Sequence, residues 1–123
     1  MILADTSVWI DHFRRGEPTL AGLLEAGRVM THPAVIGELA LGGLKNRAEV
    51  MRLLADLPGA TLARPEEVLL FIEDHRLVGS GVGYVDAWLL ASTAITPDAL
   101  FWSRDAKAKA VASRLGFAFP DTL

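Results

Sequence analysis

Short apolar runs alternate with longer stretches of helical periodicity along the whole chain of 123 residues, and this alternation constrains the fold more than any other feature. It is the signature of an α/β fold in which strands lie parallel and helices connect them. The spacing predicts strands at 2–4, 28–30, 61–62, 99–102 and 117–119, and helices at 7–14, 19–26, 33–41, 46–57, 65–77, 84–94 and 105–115. Gly16, Gly27, Gly42-Gly43, Pro58-Gly59 and Gly116 punctuate these elements, Pro33 suits a first helical turn, and Asn46 is placed to cap the helix it precedes. With no internal repeat and no long linker, residues 1–123 read as one domain.

Composition narrows the function classes. A hydrophobic share of 51% with 22% charged residues and a mean hydropathy of +0.32 excludes disorder and implies an apolar interior. The lack of cysteine removes disulfides, thiolate zinc sites and cysteine nucleophiles. Stretch 77–95 approaches the length of a membrane span, but Gly79, Gly81, Gly83 and Asp86 interrupt it, so it reads as a buried helix with its lead-in loop. Met1-Ile2-Leu3-Ala4 carries no basic region, so no signal peptide and a cytoplasmic location are expected. A net charge of −3 and a pI near 5.5 mean that nucleic acid would have to be met by a local basic patch.

Four carboxylates stand out by isolation. Asp5 is the only charged residue between Ile2 and Ile10, Glu38 the only one between Met30 and Leu44, and Asp86 the only one between Leu77 and Pro97. Asp105 follows the strand at 99–102 much as Asp5 follows the first, and open parallel sheets collect ligands beyond the carboxyl ends of their strands. Four carboxylates at one sheet edge would repel one another unless a hard divalent cation, magnesium or manganese, took them as oxygen ligands. Such an ion suits in-line phosphodiester hydrolysis. Thr6 and Ser7 add hydroxyls at the first turn. The plainer readings are helix capping for Asp5 and Asp105, and a buried salt bridge for Glu38 and Asp86.

Other features point less sharply. Gly79, Gly81 and Gly83 lack the lysine and spacing of a phosphate-binding loop and read as a flexible lead-in. His12, His32 and His75 lack zinc-ligand spacing; His32 is expected to open its helix, the other two to lie partly exposed. Arg14 and Arg15, and Arg104 with Lys107 and Arg114 at helical spacing, are candidates for RNA phosphate or solvated surface. Trp9, Trp88 and Trp102 read as core or interface.

Met1-Ile2-Leu3-Ala4-Asp5-Thr6-Ser7-Val8-Trp9, His32-Pro33-Ala34-Val35-Ile36-Gly37-Glu38-Leu39, Gly83-Tyr84-Val85-Asp86-Ala87 and Trp102-Ser103-Arg104-Asp105 together resemble the PIN-domain ribonucleases, in particular the VapC-type toxins of bacterial toxin–antitoxin pairs. The resemblance runs in order over nearly the whole chain. It implies a single PIN domain with a parallel, mainly five-stranded sheet sandwiched by helices, magnesium- or manganese-dependent endoribonuclease activity, homodimers, and inhibition by a cognate VapB-type antitoxin. Carried over, the catalytic acids are Asp5, Glu38, Asp86 and Asp105, with Asp5, Asp86 and Asp105 as metal ligands and Thr6, Ser7 and Ser103 orienting substrate. Ser103 replaces the family's usual Thr, and Trp88 stands where relatives often carry His. Two rivals are a magnesium phosphotransferase, weakened by Ser7 where a second acid is expected, and a receiver-like regulatory module that binds magnesium without cutting RNA.

Overall fold

The computed structural model describes residues 1–120. Three strands, β1 (Ile2–Ala4), β2 (Val29–Met30) and β3 (Leu100–Trp102), form a parallel sheet in the order β2-β1-β3. Ile2 pairs with Val29 on one side and Leu100 on the other, and Ala4 with Trp102. Between and after them run α1 (Thr6–Arg15), α2 (Pro18–Glu25), α3 (Pro33–Leu41), α4 (Arg47–Asp56), α5 (Pro65–Asp74), α6 (Tyr84–Ile95) and α7 (Ala106–Leu115). All but one of the strand residues are buried, as a sheet covered on both faces requires.

The five expected strands reduce to three, with single parallel bridges at either edge. Thr31 bridges to Gly59, through Thr31 N–H to the Pro58 carbonyl and Ala60 N–H to the Thr31 carbonyl, at 2.8 and 2.9 Å. The pairing falls at the Pro58-Gly59 turn, and residues 61–62 form no strand and are exposed. At the other edge Ala118 bridges to Phe101, so the strand expected at 117–119 contributes one pair.

Two helix boundaries also differ. α5 ends at Asp74, before the expected 77, because Arg76 adopts a left-handed φ of +56°. Asn46 precedes α4 with φ +54°, and its side chain makes no capping hydrogen bond. Trp9, Trp102, Phe101, Leu39, Leu89 and Leu90 are among the largest fully buried side chains. They fill the space between the sheet and its helices, and the polar loops leave the sheet at its carboxyl edge. Among the described residues no helix is long and apolar enough to cross a membrane.

Candidate active site

Parallel pairing sends the chain out of β1, β2 and β3 at one edge. Asp5 follows β1 directly, its N–H donating to the Trp102 carbonyl at 2.9 Å. It is also the N-cap of α1, Oδ1 accepting from Ser7 N–H at 3.0 Å and Val8 N–H at 3.4 Å. Capping and membership of the acidic group therefore coexist in one side chain. Asp105 repeats the arrangement after β3, its Oδ2 capping α7 through Ala108 N–H at 2.9 Å.

Two serines lock these acids together. Ser7 Oγ donates to Asp5 Oδ1 at 2.5 Å and accepts from Arg104 N–H at 2.9 Å. Ser103 Oγ donates to Asp5 Oδ2 at 2.5 Å and accepts from Asp105 N–H at 2.9 Å. Each oxygen of Asp5 is thus tied by a hydroxyl to the loop that presents Asp105. Thr6 Oγ1 donates to Glu38 Oε1 at 2.7 Å, which brings α3 to the same edge. In this structure the hydroxyls of Thr6, Ser7 and Ser103 are engaged with the acids.

Asp86 lies in the first turn of α6, half-buried, and none of the hydrogen bonds among the described residues reaches its carboxylate. Burial, and then the charges of Asp5, Asp105 and Glu38, push its carboxyl up to about 6. The charges of the other three acids thus all reach Asp86. Asp5 is also raised, burial outweighing the hydrogen bonds from Ser103, Ser7 and Val8. No Arg or Lys forms an ion pair with any of the four among the described residues, so the salt-bridge reading of Glu38 and Asp86 fails there.

The donor set is all oxygen and all anionic, which suits a hard divalent ion. Among the described residues no three acidic or histidine side chains converge closely enough to ligate one as they stand. Carboxylates without a counter-ion repel one another, and a shared cation offsets that repulsion. The chemistry of the donors is that of a site for a hard divalent cation.

The basic candidates separate. Arg104 precedes α7 and is not on its face as the spacing suggested. Its guanidinium pairs with Asp11 at 3.1 Å and with buried Glu17, which caps α2. It serves as a brace between the β3–α7 loop and the α1–α2 corner. Arg15 pairs with Asp11 at 3.4 Å, Arg14 is exposed beside the α3–α4 loop, and Lys107 is exposed in the first turn of α7.

The sequence reading missed a buried polar circuit behind the acids. His32, fully buried, caps α3 with Nδ1 accepting from Ala34 N–H at 3.1 Å, which places its proton on Nε2, 3.1 Å from Ser92 Oγ. Ser92 Oγ also accepts from Ala63 N–H at 3.1 Å. The Ala63 carbonyl accepts from Trp88 Nε1 at 2.9 Å, and the Trp88 ring meets His32 edge-on at 4.5 Å. This circuit joins the start of α3, which carries Glu38, to α6, which carries Asp86. Burial lowers the His32 pKa to about 4, so the ring is neutral near pH 7. Trp88 thus has a structural task in place of the site-facing contact expected of a His.

A chain of this fold, with four acids gathered at the carboxyl edge of its parallel sheet, is matched by the PIN domain family model over residues 2–114. The chain belongs to the PIN-domain family. Within that family it is 44% identical over 121 residues, 98% of each chain, to ribonuclease VapC32 of Mycobacterium tuberculosis, in strains CDC 1551 / Oshkosh and ATCC 25618 / H37Rv. That places it among VapC-type ribonucleases, and nothing observed favours the phosphotransferase or receiver-like readings.

Proposed function

We propose that the chain, acting as one PIN domain over residues 1–123, is the toxin of a type II toxin–antitoxin pair: a metal-dependent endoribonuclease that hydrolyses RNA phosphodiester bonds. The observation that carries this reading is the gathering of four carboxylates without a cationic partner among the described residues, in which Asp86 is raised by burial and then by Asp5, Asp105 and Glu38. Magnesium or manganese, when bound, would neutralise the phosphate and lower the pKa of water. Asp5, Asp86 and Asp105 would hold that ion, and Glu38, steadied by Thr6, would accept a hydrogen bond from the attacking water. Ser7 and Ser103 tie Asp5 to the backbone of the loop that carries Asp105, which would hold the two segments in register for an ion.

The remaining parts of the reading are a cognate VapB-type antitoxin that silences the enzyme, a homodimeric assembly and a cytoplasmic location. A total-RNA pool incubated with partner-free protein tests the reading. Cleavage into discrete products with magnesium or manganese, abolished by EDTA and by Asp5→Asn, is the expected result. Cleavage that persists in Asp5→Asn at the parent rate would overturn it.

A further inference from the structure

Along α7 runs an open groove of about 450 Å³, lined by Ser80, Ala106, Lys107, Ala110, Val111 and Arg114. Its charged groups are both positive, although the chain as a whole carries −3. Lys107 stands two residues after Asp105, and Ser80 belongs to the glycine-rich loop that leads into α6 and Asp86. One end of the groove, at Ala106 and Lys107, thus adjoins Asp105 along the chain, and the groove follows α7 on to Arg114.

Lys107 is exposed and packs its stem near the glycine-rich loop. Its side chain lies across the backbone of Gly81: a Cβ added there would be 2.9 Å from Lys107 Cδ and 3.0 Å from Nζ. Gly81 adopts φ +83°, a conformation that suits glycine, and its lack of a side chain leaves room for the lysine stem. The ammonium forms no ion pair among the described residues. Arg114, seven residues along the helix, spends one of its nitrogens on the His75 carbonyl at 2.9 Å and keeps its charge. The two cations are spaced roughly 10 Å along the helix axis. Ala110 and Val111 between them, with Ala106 beside Lys107, give an apolar floor. Cations at intervals over an apolar floor suit a single nucleic-acid strand, phosphates meeting the charges and sugars or bases the floor.

We propose that the α7 groove, through Lys107 and Arg114, binds the phosphates of the RNA strand flanking the scissile bond. This rests on the nuclease reading above and separates the basic candidates: Lys107 and Arg114 touch RNA, and Arg104 braces the fold.

The test uses full-length, partner-free protein and a fluorescently labelled single-stranded RNA, with binding followed by anisotropy in EDTA over a series of salt concentrations. Lys107→Gln and Arg114→Gln should each weaken binding several-fold and reduce the slope of log affinity against log salt by about 0.7. Lys107→Glu should weaken it further and Lys107→Arg restore it. Arg28→Gln, at the opposite end of the sheet beside the start of β2, should match the parent. In the cleavage assay with metal, the Lys107→Gln defect should lie in KM. Parent-like affinity, salt slope and KM in both Lys107→Gln and Lys107→Glu would overturn the proposal. So would a Lys107→Glu protein that keeps RNA but loses its antitoxin, which would assign the groove to an acidic protein segment. A parent protein that neither binds nor cuts RNA would instead bring down the nuclease reading.

Discussion

Asp86→Asn should make the metal-free protein more stable while removing its activity. In the fold the Asp86 carboxyl is raised from 3.8 to about 6 by burial and by three neighbouring carboxylates. A shift of about 2 units corresponds to about 3 kcal/mol at full strength. Because Asp86 is half-buried, solvent screening reduces this to roughly 1–2 kcal/mol. The sign follows from linkage: the native state holds the Asp86 proton more tightly than the unfolded chain, so the penalty is complete above pH 6 and fades as pH falls towards 3.8. Urea unfolding of parent and variant in EDTA should therefore show the variant ahead by roughly 1–2 kcal/mol at pH 7.5. About half of that lead should remain at pH 5. Saturating manganese should stabilise the parent and leave the variant nearly unchanged. A variant less stable than the parent at pH 7.5, or a gap that does not narrow with acid, would refute the argument that burial and the neighbouring acids penalise the Asp86 charge.

Three further outcomes follow from the contacts around the site. Ser103→Ala, which unties Asp5 from the backbone of Asp105, should lower metal-supported cleavage by about 10- to 100-fold with Ser103→Thr restoring it, as read by initial rates. His32, with its pKa lowered from 6.5 to about 4, should cost the native state up to about 3 kcal/mol as pH falls from 6.5 to 4, because only the unfolded chain takes up that proton. His32→Asn, able to cap α3 but not to titrate, should remove that component from the pH profile of urea unfolding, a component opposite in sign to that of Asp86. Arg104→Ala should destabilise the fold by about 3 kcal/mol, since it leaves Glu17 buried without this partner, and thermal unfolding will show it.

Much of the site was legible because charge is conspicuous in apolar sequence. Asp5, Glu38, Asp86 and Asp105 each interrupt a run that burial would otherwise favour, and parallel pairing of β1 with β2 and β3 sends three of the four chain segments to one edge. What failed depended on partners distant in sequence. Residues 61–62 have strand-forming types, yet β-propensity is decided by what lies alongside, and Thr31 pairs at Gly59 instead. Leu77 continues the apolar period of α5, but the left-handed turn at Arg76 carries no glycine or proline to announce it. Arg104 shares helical spacing with Lys107 and Arg114, while its true partners, Asp11 and Glu17, lie about ninety residues earlier. A buried glutamate before Pro18 was the available signal, since an acid at a helix start often caps. The His32–Ser92–Ala63–Trp88 circuit left no local mark, for it joins three segments whose neighbourhood only the fold creates.

Asp5, Asp86 and Asp105 should together hold one divalent ion, with Glu38 beside it. Calorimetric titration of manganese into partner-free protein tests it most directly, run on the parent and on Asp5→Asn, Asp86→Asn and Asp105→Asn under one set of conditions. The account predicts saturable binding by the parent that each substitution weakens sharply with the fold retained. Equal manganese binding by the parent and all three variants would contradict it.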